Sequence, residues 1–321
     1  MRGHDLGADT VANYRAFGRE AHGRSAAYEA LAYAVAADQP LLHFLSTLPR
    51  AKRQPNLLFA AAYYLLGEPP QIGTLRGLVR RDAARLTQVM LARRTQTNEP
   101  ARCATLLPVL AALPGPLALI EVGASAGLTL LVDRYSYDYG GHRVEGLDPA
   151  APVLRCTVSG PAPLPTAVPT VAWRAGLDLN PLDVTSDDDV HWLSCLIWPG
   201  EGDRRQRLAA AVATARRDPP AIHRGDLLTD LPALAARAPA DATLVVYHSA
   251  VLAYVSPPGR REFAAIVGGL DAVWLSNEAP GVVESVPRTS APDAAFVLAR
   301  DGRTALALTG GHGDWLCWIA P

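Results

Sequence analysis

One stretch limits what this chain can become more than any other: residues 117–133, reading L-A-L-I-E-V-G-A-S-A-G-L-T-L-L-V-D. The apolar run from Leu117 to Val122 is short enough for a buried strand. A turn with Gly123, Ser125 and Gly127 follows, and Leu128, Leu131 and Val132 then recur at helical spacing. Strand, glycine turn and helix open a nucleotide-binding α/β unit, so a helix is expected directly after the turn.

The chain before this stretch has a different period. Over residues 11–113 apolar positions repeat at helical spacing, as in Tyr28, Leu31, Ala32 and Val35. Breaks at Pro40, Pro49, Gly67 and Pro69-Pro70 divide the region into roughly five helices. Residues 1–112 are thus expected to be an all-helical cap, and residues 113–321 an α/β domain. Two breaks are unusually polar: Arg53-Gln54-Pro55-Asn56, and Thr95-Gln96-Thr97-Asn98-Glu99-Pro100 with Arg102 close behind. Either they are ordinary helix termini, or the second lines a pocket between cap and core.

After the stretch, strands and helices alternate. Tyr135, Tyr137 and Tyr139 suggest a short extended segment, and residues 153–158 and 171–179 read as two strands, expected to pair as a hairpin. Residues 188–198 and 204–217 read as helices. Strands at 221–225, 243–247 and 272–276 end in Asp226, His248-Ser249 and Asn277-Glu278. Two more, 295–299 and 304–309, flank the hairpin turn Asp301-Gly302. The fold class is therefore α/β: a Rossmann-like, mostly parallel sheet closed by a C-terminal antiparallel hairpin, with a helical cap. Ligands of such sheets sit at the carboxyl ends of the strands, which here carry Glu121, Asp178, Asp226, His248 and Glu278.

Three ligands compete for the glycine turn. A dinucleotide wants G-x-G-x-x-G, but Ser125 and Leu128 occupy the second and third glycine positions. A serine hydrolase is suggested by Gly123-Ala124-Ser125-Ala126-Gly127, which matches G-x-S-x-G, with Asp226 or Glu278 and then His312 following in order. Against it, such an elbow lies after several strands, whereas no strand is read before Leu117–Val122, and no H-G-G-G-type loop lies upstream. S-adenosylmethionine fits an acidic residue followed by alternating glycines, here Glu121, Gly123, Ser125 and Gly127. In this third reading the turn's amides and the helix N-terminus hold a carboxylate. Asp178 with Leu179 takes the ribose, Asp226 with Leu227 takes the adenine, and Ala124 completes the turn. Each of those acids is otherwise a helix cap.

The chain also resembles an actinobacterial domain-of-unknown-function family, number 2332. The resemblance rests on T-Q-T-N-E at 95–99, E-V-G-A-S-A-G-L at 121–128 and R-A-G-L-D-L-N-P-L-D-V at 174–184. It extends to W-L-S-C-L-I-W-P at 192–199, V-V-Y-H-S-A-V-L-A-Y at 245–254 and G-H-G near the end. That family name implies no activity. In strand order and first motif the chain is more loosely similar to class I methyltransferases, which implies a seven-stranded sheet with the last hairpin at its edge.

The expected function is an S-adenosylmethionine-dependent transferase, a methyltransferase, acting on a small molecule in an enclosed pocket. An S-adenosylmethionine-consuming cyclase, the hydrolase and a non-catalytic binding module stay open. His248, beside Tyr247, is the candidate base, and Glu278 with Asn277 is placed to hold a substrate amine. Asn98, Glu99 and Arg102 are candidates for closing the pocket, and His312 lies between glycines that let backbone come close. Net charge is -1 without a basic stripe, which argues against a nucleic-acid partner. Cys103, Cys156, Cys195 and Cys317 lie far apart with no metal-ligand spacing, so no metal is expected. The N-terminal M-R-G-H-D-L-G-A-D-T has no signal-peptide core and no run is long enough to span a bilayer, so a cytoplasmic protein with no membrane contact is expected.

Overall fold

The computed structural model describes residues 5–287 and 295–320. The first four residues of the N-terminal stretch read for a signal core therefore lie outside the described residues. The chain forms two compact units: Met1–Thr97 with Asp187–Gln206, and Asn98–Ser186 with Arg207–Pro321.

The first unit is helical. It holds α1 (Asp5–Ala21), α2 (Ala26–Ala36), α3 (Gln39–Ser46), α4 (Pro55–Leu66) and α5 (Ile72–Ala92). Local chemistry sets their ends. The Ser25 hydroxyl accepts from the Tyr28 amide, and Asp38 accepts from the Leu41 amide at 2.9 Å. Gly67, at φ 78°, ends α4 in the left-handed region. The core is aromatic: Phe59 lies against Tyr14, Phe17 and Tyr28, with ring centroids 4.9–6.0 Å apart. The two polar breaks meet inside this unit. The Thr95 hydroxyl donates to the Gln54 side chain at 3.1 Å, and the Trp198 indole donates to Asn56 at 2.8 Å.

The second unit contains α6 (Arg102–Leu110), followed by β1 (Leu117–Val122), β2 (Ser136–Asp138), β3 (Arg143–Val144), β4 (Val153–Arg155), β5 (Thr157–Ser159) and β6 (Val171–Asp178). The chain then gives α7 (Asp187–Cys195) to the helical unit. There Arg93 pairs with Asp188 and Asp189, and Trp192 donates to the Arg94 carbonyl at 3.0 Å. Helix α8 (Gly202–Arg217) spans the division. Then come β7 (Ile222–Arg224), α9 (Leu231–Ala235), β8 (Thr243–Ser249), α10 (Pro257–Gly268), β9 (Val273–Glu278), β10 (Ala295–Arg300), β11 (Thr304–Gly310) and β12 (Trp315–Trp318). Compactness thus groups α6 with the sheet and α7 with the helices.

The main sheet runs β5-β12-β11-β10-β9-β8-β1-β6-β7, and a small second sheet runs β3-β2-β4. Strands β7, β6, β1, β8 and β9 are mutually parallel, and β10 to β12 continue antiparallel. The sheet has nine strands, not seven. The two extra strands sit at the far edge. The segment at 153–158 is not one strand: at Cys156 the chain leaves β4 and re-enters the main sheet as β5, beside β12. The Cys156 amide bonds the Asp138 carbonyl, while the next amide, Thr157, bonds the Asp314 carbonyl.

Two further expectations are corrected. Strand β6 does not pair in a hairpin with residues 153–158. It lies parallel beside β1 in the sheet interior. The crossover that this pairing requires is the whole of residues 123–170, and its last part is the proline-rich segment after β5. Nor does a helix follow the glycine turn. Residues Leu128–Leu131 make only a 3-10 turn, and the chain then proceeds to β2. Side chains end the helix early. The Arg174 guanidinium binds the Leu130 carbonyl and grips Asp133 through two contacts, all at 2.7 Å, and the Tyr135 hydroxyl takes the Leu128 carbonyl at 2.8 Å. Those carbonyls then have acceptor work outside an α-helical ladder.

β1 is buried along its whole length because the sheet is covered on both faces. On one face Ile120, Val122 and Val246 pack with Phe263 and Val267 of α10 and with Leu231 and Leu234 of α9. No helix among the described residues is long and apolar enough to cross a membrane.

Candidate functional site

The strand order reverses between β1 and β8: apart from the far-edge strand β5, the chain adds β6 and β7 on one side of β1 and then β8 to β12 on the other. That switch point is where the connections diverge and leave a crevice. The glycine turn sits there. Gly123 and Gly127 are both at φ 71° and Ser125 is at φ 53°. Ser125 therefore carries left-handed strain that a non-glycine residue tolerates only under constraint.

The constraint comes from the Asp178 carboxylate, which accepts from the Ser125 amide at 2.8 Å and from the Asn180 amide at 2.7 Å. Four further amides of the turn are engaged too. Those of Gly123 and Ala124 point to the Leu177 carbonyl, that of Gly127 to the Ala124 carbonyl and that of Leu128 to the Asn98 side chain. With most donors satisfied internally, and a 3-10 turn where the helix N-terminus should be, little is left to attract a pyrophosphate.

Acids dominate instead. Glu121 lies level with Gly176 on β6 and Tyr247 on β8 and is buried. One of its oxygens accepts from the Thr129 hydroxyl, and the other, Oε2, has no partner among the described residues. Burial pushes its carboxyl up to about 8, against the opposing pull of Thr129 and of Arg102. Tyr247 is buried next to Glu121 and Thr129, and burial pushes its phenol well up, so it stays protonated.

Around this core the sequence-predicted residues converge from three directions. Arg102 donates to the Gly311 carbonyl at 3.0 Å and to the Ser249 carbonyl at 3.1 Å, joining α6 to the loops after β11 and β8. Asn98 takes the Leu128 amide at 2.8 Å, and Glu99 pairs with Arg207 at 2.7 Å. The motif T-Q-T-N-E is thus divided: Thr95 to Thr97 belong to the helical unit, whereas Asn98 and Glu99 belong to the sheet unit. Asn277 is buried between Thr309, whose hydroxyl it accepts at 2.8 Å, and Ser249, to which it donates at 3.1 Å. His312 lies in the β11–β12 loop, whose Gly313 abuts the Ala101 carbonyl.

His248 is not placed as a free base. It is fully buried, with Nδ1 2.7 Å from Glu278 Oε1 and Nε2 accepting from the Trp274 indole at 3.0 Å. Because the indole can only donate, the ring proton is on Nδ1 and points at Glu278. Both nitrogens are committed, and the ring is packed edge-on against Phe263. Glu278 Oε1 also accepts from the amides of Val251 at 2.8 Å and Leu252 at 3.0 Å, while Oε2 has no partner among the described residues. Burial raises its carboxyl, but His248 and the two amides outweigh burial and hold it below the usual carboxylate value.

The remaining predicted residues lie on the β6–β7 side. Asp226 accepts from the Leu228 amide at 2.8 Å and Leu227 packs against the apolar cluster, so both serve the local turn. Leu179 is exposed, beyond the end of β6. Thr129, Val251 and Trp274 were missed. No motif marks them, because each matters only through a partner distant in sequence or on another strand.

Val251 gives Gly123 its reason. A Cβ at Gly123 would stand 2.4 Å from Val251 Cγ2, on a backbone at φ 71°. Gly123→Ala is expected to cost about 2–4 kcal/mol from strain and overpacking together. Urea denaturation checks this; a loss below about 0.5 kcal/mol would show that the loop yields freely.

Neither a curated protein nor a solved structure matches the chain. A family model matches residues 11–318, nearly the whole chain. The protein thus belongs to the domain-of-unknown-function family 2332, whose members are described as uncharacterized proteins conserved in bacteria.

Proposed function

We propose that the sheet unit is Rossmann-like, binds S-adenosylmethionine at the carboxyl ends of β1, β6 and β8, and acts as a methyltransferase-like enzyme on a small molecule. The observation that carries this reading is the parallel order β7-β6-β1-β8-β9 with its reversal at the glycine turn. Parallel sheets bind nucleotide-like ligands at that point. The charge of the site chooses among such ligands. Engaged turn amides disfavour a pyrophosphate, while buried carboxylates at the strand ends favour a ligand with cationic groups, a sulfonium and an ammonium.

In this reading Glu121 meets the ligand's ammonium group through its open oxygen, and the cation's arrival drives off the proton that burial otherwise retains. Asp178, fixed by two amides, faces the ribose hydroxyls. The bound cofactor would supply an activated methyl group, and the protein's task is to position the acceptor and exclude water. His248 acts here as a positioning residue for Glu278, not as the base.

Isothermal titration calorimetry tests the reading. S-adenosylmethionine and S-adenosylhomocysteine are both expected to bind, and Glu121→Gln to weaken both by about tenfold, the worth of one charge-assisted hydrogen bond. Absence of binding of either at millimolar ligand overturns the proposal. Product analysis then separates methyl transfer from intramolecular cyclisation. The serine hydrolase has one observation in its favour, the left-handed Ser125 at the end of a central strand. Its hydroxyl, however, is buried with no partner among the described residues, so no histidine stands ready to activate it. A fluorophosphonate adduct at Ser125 would reverse this choice.

A further inference from the structure

The end of β9 holds an arrangement to which the cofactor reading assigns no ligand group. Glu278 is buried, and all its described contacts are to one oxygen: the His248 imidazole and the amides of Val251 and Leu252 converge on Oε1. Oε2 is buried without a partner among the described residues. Among those residues no arginine or lysine pairs with this carboxylate; its one ionic neighbour is His248. The indole of Trp274 donates to Nε2, so the imidazole faces Glu278 through Nδ1 alone. The site is thus a fixed, buried carboxylate with no guanidinium or ammonium partner among the described residues and one open acceptor.

Backbone strain is spent on holding it. Ala250 is at φ 59°, a conformation L residues rarely adopt, and its amide is tied to the Asn277 carbonyl at 3.1 Å. That turn aims the next two amides at Glu278. The same Val251 whose amide binds Glu278 fills the space over Gly123 with its side chain. A single residue therefore separates the open carboxylate from the glycine turn.

A buried carboxylate is costly unless something completes it. A neutral donor would satisfy the lone pair and leave the charge. An ammonium satisfies both. We infer that Glu278 Oε2 is the subsite for the positively charged amino group of the acceptor, so that the substrate class is a small primary or secondary amine. This inference rests on the proposed function for calling the ligand an acceptor, but the subsite itself does not require the cofactor. His248 and Trp274 are its positioning residues. Glu121 is the weaker anchor for this role, because its surroundings favour the neutral acid.

The test uses matched probes on the full chain: butylamine, butan-1-ol and butyrate, then phenethylamine with its alcohol and carboxylate analogues. Binding is followed by ligand-detected NMR, with and without S-adenosylhomocysteine. The amine of each set is expected to bind about 10-fold to 100-fold tighter than its alcohol, and the carboxylate not at all. Glu278→Gln keeps an acceptor for His248 and the two amides but removes the charge, and is expected to abolish the amine preference while leaving S-adenosylhomocysteine affinity within about twofold. An alcohol or carboxylate binding as well as its amine, no binding of any amine, or an unchanged preference in Glu278→Gln overturns the inference. The wild-type comparison decides it even if the variant fails to fold. Amine preference without any S-adenosylhomocysteine binding would sustain the subsite and overturn the cofactor reading.

Discussion

Glu121→Gln is expected to match the wild-type protein in stability near pH 4.5 and to exceed it by about 4 kcal/mol at pH 8. The folded carboxyl is pushed up to about 8 from 4.5, chiefly by burial in a strand covered on both faces. Below pH 4.5 folded and unfolded chains both hold the proton, and nothing is lost. Between pH 4.5 and 8 the unfolded chain releases it while the folded chain keeps it, so the wild type loses stability as pH rises. Glutamine has no proton to lose and leaves that slope behind. Urea denaturation of both proteins at pH 4.5, 6 and 8 checks it. Parallel stability curves would mean that Glu121 is solvated in a way its burial does not suggest. Together with the expected loss of cofactor affinity, the gain at pH 8 would mark Glu121 as a residue that weakens the fold for the sake of a ligand.

Arg174→Met is expected to destabilise the protein by about 3–5 kcal/mol, the cost of leaving one partner of a buried ion pair behind. Arg174 and Asp133 are 16% and 3% exposed, so the surviving carboxylate would have little access to water. The guanidinium also holds the Leu130 carbonyl at 2.7 Å. Its loss would release the 3-10 turn that presents Thr129 to Glu121. The double variant Arg174→Met with Asp133→Asn removes both charges and is expected to recover part of the loss. Chemical denaturation of the two variants gives the comparison. A single-variant loss below about 1 kcal/mol would class the pair with solvent-screened surface bridges.

The positions of the parallel strands and the place of the glycine turn were legible in the sequence because both depend on local pattern. Apolar runs of strand length, separated by helices and ending in acids, already named β1, β6, β8 and β9 and the ends where Glu121, Asp178, His248 and Glu278 stand. The end of α4 was legible for the same reason, since the break read at Gly67 is where a left-handed residue closes the helix. The sequence by itself thus determined which residues are acidic, apolar or free to turn, and where each strand stops.

What each of those residues does was decided by tertiary contacts. Residues 128–132 carry a helical pattern, but the 3-10 turn is imposed by Arg174, some forty positions later. His248 reads as a base until Trp274 and Glu278 arrive on the neighbouring strand and take both nitrogens. Gly123 reads as an opening for a ligand, yet Val251 fills it. A hydrogen bond or a van der Waals contact between residues far apart in the chain has no period and leaves no local trace. The two open carboxylate oxygens, on Glu121 and Glu278, are of this kind: an acceptor without a partner appears only once every other group has been placed.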